Sequence, residues 1–113
     1  MAEDERARRI GANEAVFRKV NEQIEELNRG FAEMSGGTMQ IVCECGEIRC
    51  AEQVTVSIGT YERIRSDPAL FLTVEGHEAV DVETVVERAG RYQVVRKRAG
   101  DPERIAARTD PRS

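Results

Sequence analysis

The sequence predicts an α+β fold: a long N-terminal amphipathic helix, then a small, mostly antiparallel β-sheet domain with one short helix and a knuckle-like hairpin. Three observations predict it. Apolar residues recur at helical spacing across the first thirty or so positions. Short β-branched runs with alternating polarity follow, separated by turn residues. All three cysteines fall between the first two of those runs.

Residues from about 5 to 31 read as one helix. Apolar side chains fall at Ile10, Phe17, Val20, Ile24, Leu27 and Phe31. From Phe17 onward the steps alternate three and four, which is a heptad seam. Glu3, Asp4 and Glu5 suit the positive end of the helix dipole. Glu14 with Arg18, and Glu25 with Arg29, stand at i,i+4 spacing and predict surface pairs. Asn13 lies in the seam between Ile10 and Phe17, where a buried Asn can fix register. The seam packs either on its own domain or on another helix, a second copy or a protein partner; the spacing does not choose. The predicted limits are residues 1–34 for the helix, 38–98 for the compact domain and 99–113 for a flexible polar tail.

Ser35-Gly36-Gly37 ends the helical region. Met39 to Cys43 reads as a strand. Gln53 to Ile58 alternates, with Val54, Val56 and Ile58 on one face. Between them lies CECGEIRC, so the cysteines sit on a hairpin-like connection, and Gly46 supplies the permissive backbone for it. Ser57 or Thr60 can cap a short helix carrying Tyr61 and Ile64. That helix should stop by Asp67, because Pro68 disfavours helical geometry in the residue before it. Phe71 to Val74 reads as a short strand leading to Gly76 and His77. Residues 82–87 and 92–97 are β-branched runs around Arg88-Ala89-Gly90-Arg91 and predict a hairpin. Residues 99–113 are polar, hold Pro102 and Pro111, and predict a mostly disordered tail with at most a fragment of helix at 102–108.

The chain has 113 residues and a formal net charge of −4. That length allows at most one domain with appendages. The acidic balance argues against nucleic-acid binding, whose affinity comes mainly from neutralising phosphates. A late basic group, Arg88, Arg91, Arg96, Lys97 and Arg98, reads as a solvated hairpin face. No apolar run is long enough to cross a bilayer. The charged N-terminal stretch lacks the apolar segment of a secretory signal, so the expected compartment is the reducing cytoplasm.

Cys43, Cys45, Cys50 and His77 are the complete cysteine and histidine inventory. An odd cysteine count does not suit a disulfide framework. Four soft-to-borderline ligands are the number that a closed tetrahedral zinc site needs. The spacing C-x-C-x4-C-x26-H differs from the paired C-x2-C knuckle of common zinc fingers. A compact segment of about 60 residues has marginal burial, and a structural metal is one way to staple it. The expectation is one Zn2+ per chain, held by these four side chains in a zinc-knuckle-like hairpin. Buried, inert thiols with a surface histidine form the competing reading. The ligand set is also similar to that of CDGSH-type iron–sulfur proteins. The likeness ends at the inventory, because there the third Cys and the His lie close together; a [2Fe–2S] cluster remains a minor option.

Several stretches resemble an uncharacterised group of small bacterial proteins, often actinobacterial, with a C-x-C-x4-C … G-H-E pattern. They are Val42-Cys43-Glu44-Cys45 with Cys50, the segment from Tyr61 to Pro68, the segment from Phe71 to Glu78, and Val85 to Arg88. The resemblance spans roughly residues 13–97. It implies that the cysteines and Gly76-His77 belong to one constellation, and it brings no activity with it.

The sequence does not predict an enzyme. Four protein ligands leave a metal no open position for water or substrate. Glu44, Glu75 and Glu78 lie beside ligands and read as rim residues or as partners that orient His77, ahead of a general base. Gly36-Gly37 lacks the Walker spacing. The expected role is a protein-interaction or regulatory module with a structural Cys3His site. A thiol or zinc redox sensor is the alternative.

Overall fold

The computed structural model describes residues 4–29 and 37–112. Phe31, Ser35 and Gly36, which carry part of the seam and of the helix stop, lie outside the described residues. The elements are α1 (Glu5–Arg29), β1 (Thr38–Val42), β2 (Gln53–Ser57), α2 (Ile58–Arg65), β3 (Leu70–Val74), β4 (Glu83–Ala89), β5 (Tyr92–Lys97) and α3 (Asp101–Arg108). The α+β class and the strand order follow the sequence reading.

Two antiparallel sheets result. β1 and β2 form a hairpin in which Met39 faces Val56 and Ile41 faces Val54. The alternation read in β2 holds in β1 as well, and it puts those four side chains on one buried face. The second sheet has the order β3-β5-β4, with a bulge in β4 between Val85 and Glu87. Central β5 is covered on both faces. Val94 and Leu72 join the hairpin's apolar face, Tyr61 and Ile64 in the main core. Val95 and Phe71 face Ala106 of α3. Ser57 caps α2: its hydroxyl accepts the Thr60 N–H at 3.0 Å.

α1 lies on this assembly by an unexpected face. Its buried residues are Ala7, Ile10, Gly11, Glu14, Arg18, Asn21 and Glu25, a helical stripe that turns polar after Gly11. Of the predicted seam, Ile24 touches the main core, while Val20 and Leu27 are exposed. The reason is partner chemistry. Lys97 Nζ donates to Glu14 Oε1 at 2.7 Å and to Glu83 Oε1 at 2.8 Å, all three side chains being buried. Arg18 donates to the Pro68 and Ala106 carbonyls at 2.8 and 2.7 Å and lies over the Phe71 ring. Asn21 exchanges hydrogen bonds with the Val42 backbone at 2.8 Å each way. A helix that docks through such bonds leaves part of its apolar stripe outside.

Three expectations are corrected here. Glu14 pairs with Lys97 rather than Arg18, whereas Glu25 and Arg29 do pair, at 3.7 Å. Lys97 belongs to the core instead of a solvated basic face. The tail is not mostly disordered: Asp101–Arg108 form α3, with Pro102 in the first turn and Ile105 and Ala106 buried. Ile105 packs with Ala7, Ile10 and Val82. Two adjacent apolar residues carry too little periodicity to reveal this from sequence.

Candidate metal centre

Cys43 and Cys45 follow β1 in the arm leading into the hairpin loop. Alternate residues of a near-extended chain share a side. The C-x-C spacing therefore aims two thiols one way and Glu44 the other. Glu44 goes inward. It is fully buried, takes two hydrogen bonds from Arg65 at 2.6 and 3.1 Å, one from Asn21 at 2.7 Å and one from the Leu72 N–H at 3.0 Å. These bonds pin the cysteine arm against β3, as does the Glu44 N–H to the Leu72 carbonyl at 2.8 Å.

The loop then turns back. The Cys50 N–H donates to the Glu47 carbonyl at 2.9 Å, and the Cys43 N–H closes the mouth on the Glu52 carbonyl at 2.9 Å. Gly46 is required for a reason the sequence did not show. A Cβ there would lie 2.6 Å from Ile10 Cγ2, so the loop can press on α1 only without a side chain. Asn13 donates to the Gly46 carbonyl at 2.9 Å, which ties the seam asparagine to the cysteine loop instead of to another helix. His77 comes from the other sheet. It follows β3 after Gly76, whose φ of 87° lies in the left-handed region that glycine tolerates.

The structure brings all four predicted residues together. The ligand atoms of Cys43, Cys45, Cys50 and His77 lie within 4.8 Å of one another, a grouping that can hold a metal ion. His77 Nδ1 is 3.6 Å from Cys43 Sγ and 3.7 Å from Cys50 Sγ. Tetrahedral bonds of about 2.3 Å to sulfur and about 2.0–2.1 Å to nitrogen would set S and N about 3.6 Å apart. The donor set and its spacing therefore fit a single ion.

The thiols act on one another: the hydrogen bond between Cys43 and Cys45 raises the Cys43 thiol strongly, with burial adding, and lowers Cys45. Burial raises Cys50. Cys45 Sγ lies 3.9 Å from the Glu47 carbonyl as a donor, and backbone hydrogen bonding at Glu47 and Glu52 lowers Cys45 and Cys50. The Val74 N–H donates to Cys43 Sγ at 3.1 Å and favours its anion. A metal-binding thiolate needs such donors, since the deprotonated sulfur is the ligand.

The acidic neighbours divide differently from the sequence reading. Glu44 is a buried ion-pair member, and Glu78 accepts from Gln93 Nε2 at 2.7 Å. The carboxylate that reaches His77 is Glu52, at 2.9 Å from Nε2. Sequence reading missed it, although Cys50-Ala51-Glu52 repeats the two-residue spacing of Cys43-Glu44-Cys45. A groove of about 500 Å³ runs beside the centre, between the first turns of α1 and the two ligand loops, with Ile10, Cys45, Ile48 and His77 among its walls.

No protein-family model matches this chain, and no curated protein or solved structure is similar enough to count as a match. Among the described residues, no helix is long and apolar enough to cross a membrane.

Proposed function

We propose that this chain is a small cytoplasmic zinc-binding protein whose Cys3His site is structural and whose surface serves as a protein-interaction or regulatory module, without catalysis of its own. One observation carries the reading. Four ligand atoms from two separate sheets converge within 4.8 Å. Such a site contributes folding free energy of order 10 kcal/mol, and its four protein ligands leave no position open for chemistry.

The interaction role is supported by α1. Val16, Val20 and Leu27 are 51%, 36% and 72% exposed. At 100° per residue they fall within about 40° of one another and extend over roughly 16 Å of helix. A stripe of this kind suits a second helix, from another copy or from a partner.

A thiol redox sensor is the second reading, favoured by the partial exposure of Cys50 beside two buried thiols. A [2Fe–2S] cluster ranks below both. Two irons would spread the two ligand pairs further apart than a grouping within 4.8 Å.

Sedimentation equilibrium together with elemental analysis tests the proposal. The expected result is about one zinc per chain and a concentration-dependent association that Val20→Asp with Leu27→Asp abolishes without loss of zinc. Zinc-free protein with three freely titrating thiols would remove the structural site. A monomer at all concentrations that takes up no helical partner would remove the interaction role.

A further inference from the structure

Glu52 touches three of the four candidate ligands. Its N–H favours the Cys50 thiolate. Its carbonyl accepts the Cys43 N–H at 2.9 Å. Its carboxylate lies 2.9 Å from His77 Nε2, on the side of the ring away from the sulfurs that Nδ1 faces. The first two contacts use backbone atoms and survive Glu52→Ala and Glu52→Gln. The third belongs to the side chain alone.

We infer that Glu52 is the positioning residue of the metal centre. Its carboxylate accepts the Nε2 proton, keeps that proton off Nδ1, and turns the ring so that the Nδ1 lone pair meets the ion. This rests on the reading of the four ligands as a zinc site. Metal-bound histidines depend on such a partner for tautomer, orientation and basicity. The dependence is greater here because His77 is the only ligand not carried by the cysteine hairpin. It follows Gly76 on a loop of the second sheet, and its side chain is 31% exposed. The cysteines are fixed by Glu44 and the hairpin register; what fixes the ring is Glu52. Through that one hydrogen bond the β1–β2 arm reaches across to the β3 loop, so Glu52 also sets how firmly the metal couples the two sheets.

The carboxylate is half-exposed and bonds no core group, so its removal leaves the packed interior alone. Zinc affinity, measured by competition with a chromophoric chelator, should fall about 10–100-fold in Glu52→Ala. Glu52→Gln should lose less, because its amide oxygen still accepts the Nε2 proton. The deciding comparison is a double-mutant cycle. In the His77→Ala background, Glu52→Ala should cost no further affinity, since the carboxylate acts only through the ring. Wild-type protein that binds zinc while Glu52→Ala matches it would overturn the role of Glu52 and leave the site standing. So would an equal loss in the two backgrounds, which would mean a general structural effect. Wild-type protein that binds no zinc would overturn the site itself, and this role with it.

Discussion

Glu44 sits between two cysteines yet points away from them, and its environment decides what it does. A buried carboxylate is costly unless it is paired and its lone pairs are filled. Here Arg65, Asn21 and the Leu72 amide fill them. Removing one member of such a pair leaves the other charge buried and uncompensated, at about 3–5 kcal/mol. Glu44→Ala should therefore lower the stability of the metal-loaded protein by that order in chemical denaturation. A loss under about 1 kcal/mol would show that Arg65 finds solvent when its partner goes. At this scale the grouping of the four candidate ligands was legible from their chemistry, because they exhaust the Cys and His inventory. Glu44 and Glu52 were not. Acidic residues one or two positions from a cysteine look alike in sequence, and only the side of the chain they occupy tells them apart.

α1 shows where periodicity stops being informative. Its length and its amphipathic character were readable. Its orientation was not, because the buried stripe contains Glu14, Arg18, Asn21 and Glu25, and hydrophobic pattern cannot weigh a polar residue that will meet a buried partner. The far end of the helix makes a pH prediction possible. Burial raises Glu25 from 4.5 to about 7, with nearby Glu62 adding, while the hydrogen bond from Arg112 holds Glu62 down to about 2. From about 2 to 4.5 the unfolded chain binds the extra proton, so Glu62 makes stability rise with pH. From 4.5 to about 7 the folded chain keeps the proton on Glu25, so stability falls. The pair thus contributes a maximum near 4.5, and the two limbs largely offset each other by neutral pH. Stability curves of wild type and Glu25→Gln, subtracted to cancel the other titrating groups, should differ by the falling limb. Parallel curves across that window would refute the raised Glu25.

For the molecule as a whole, the candidate metal centre is the place where two sheets meet. The cysteines belong to the β1–β2 hairpin and His77 to the loop after β3. Within the chain itself, the sheets are held together by the main apolar core and by Glu44 reaching Leu72. The strands and the two hairpins could be read from alternation and turn residues, whereas their division into two sheets and the place of β3 beside β5 could not. A fragment of helix at 102–108 was readable and is α3; its burial was hidden, because Ile105 and Ala106 gain meaning only where α1 and Phe71 await them. We propose that these two sheets share one zinc ion. Zinc X-ray absorption of the purified protein tests it most directly. The expected first shell is three sulfurs at about 2.3 Å and one nitrogen at about 2.0–2.1 Å, with the nitrogen lost in His77→Ala. A shell of nitrogen and oxygen alone, an unchanged shell in that variant, or protein that carries no zinc would contradict it.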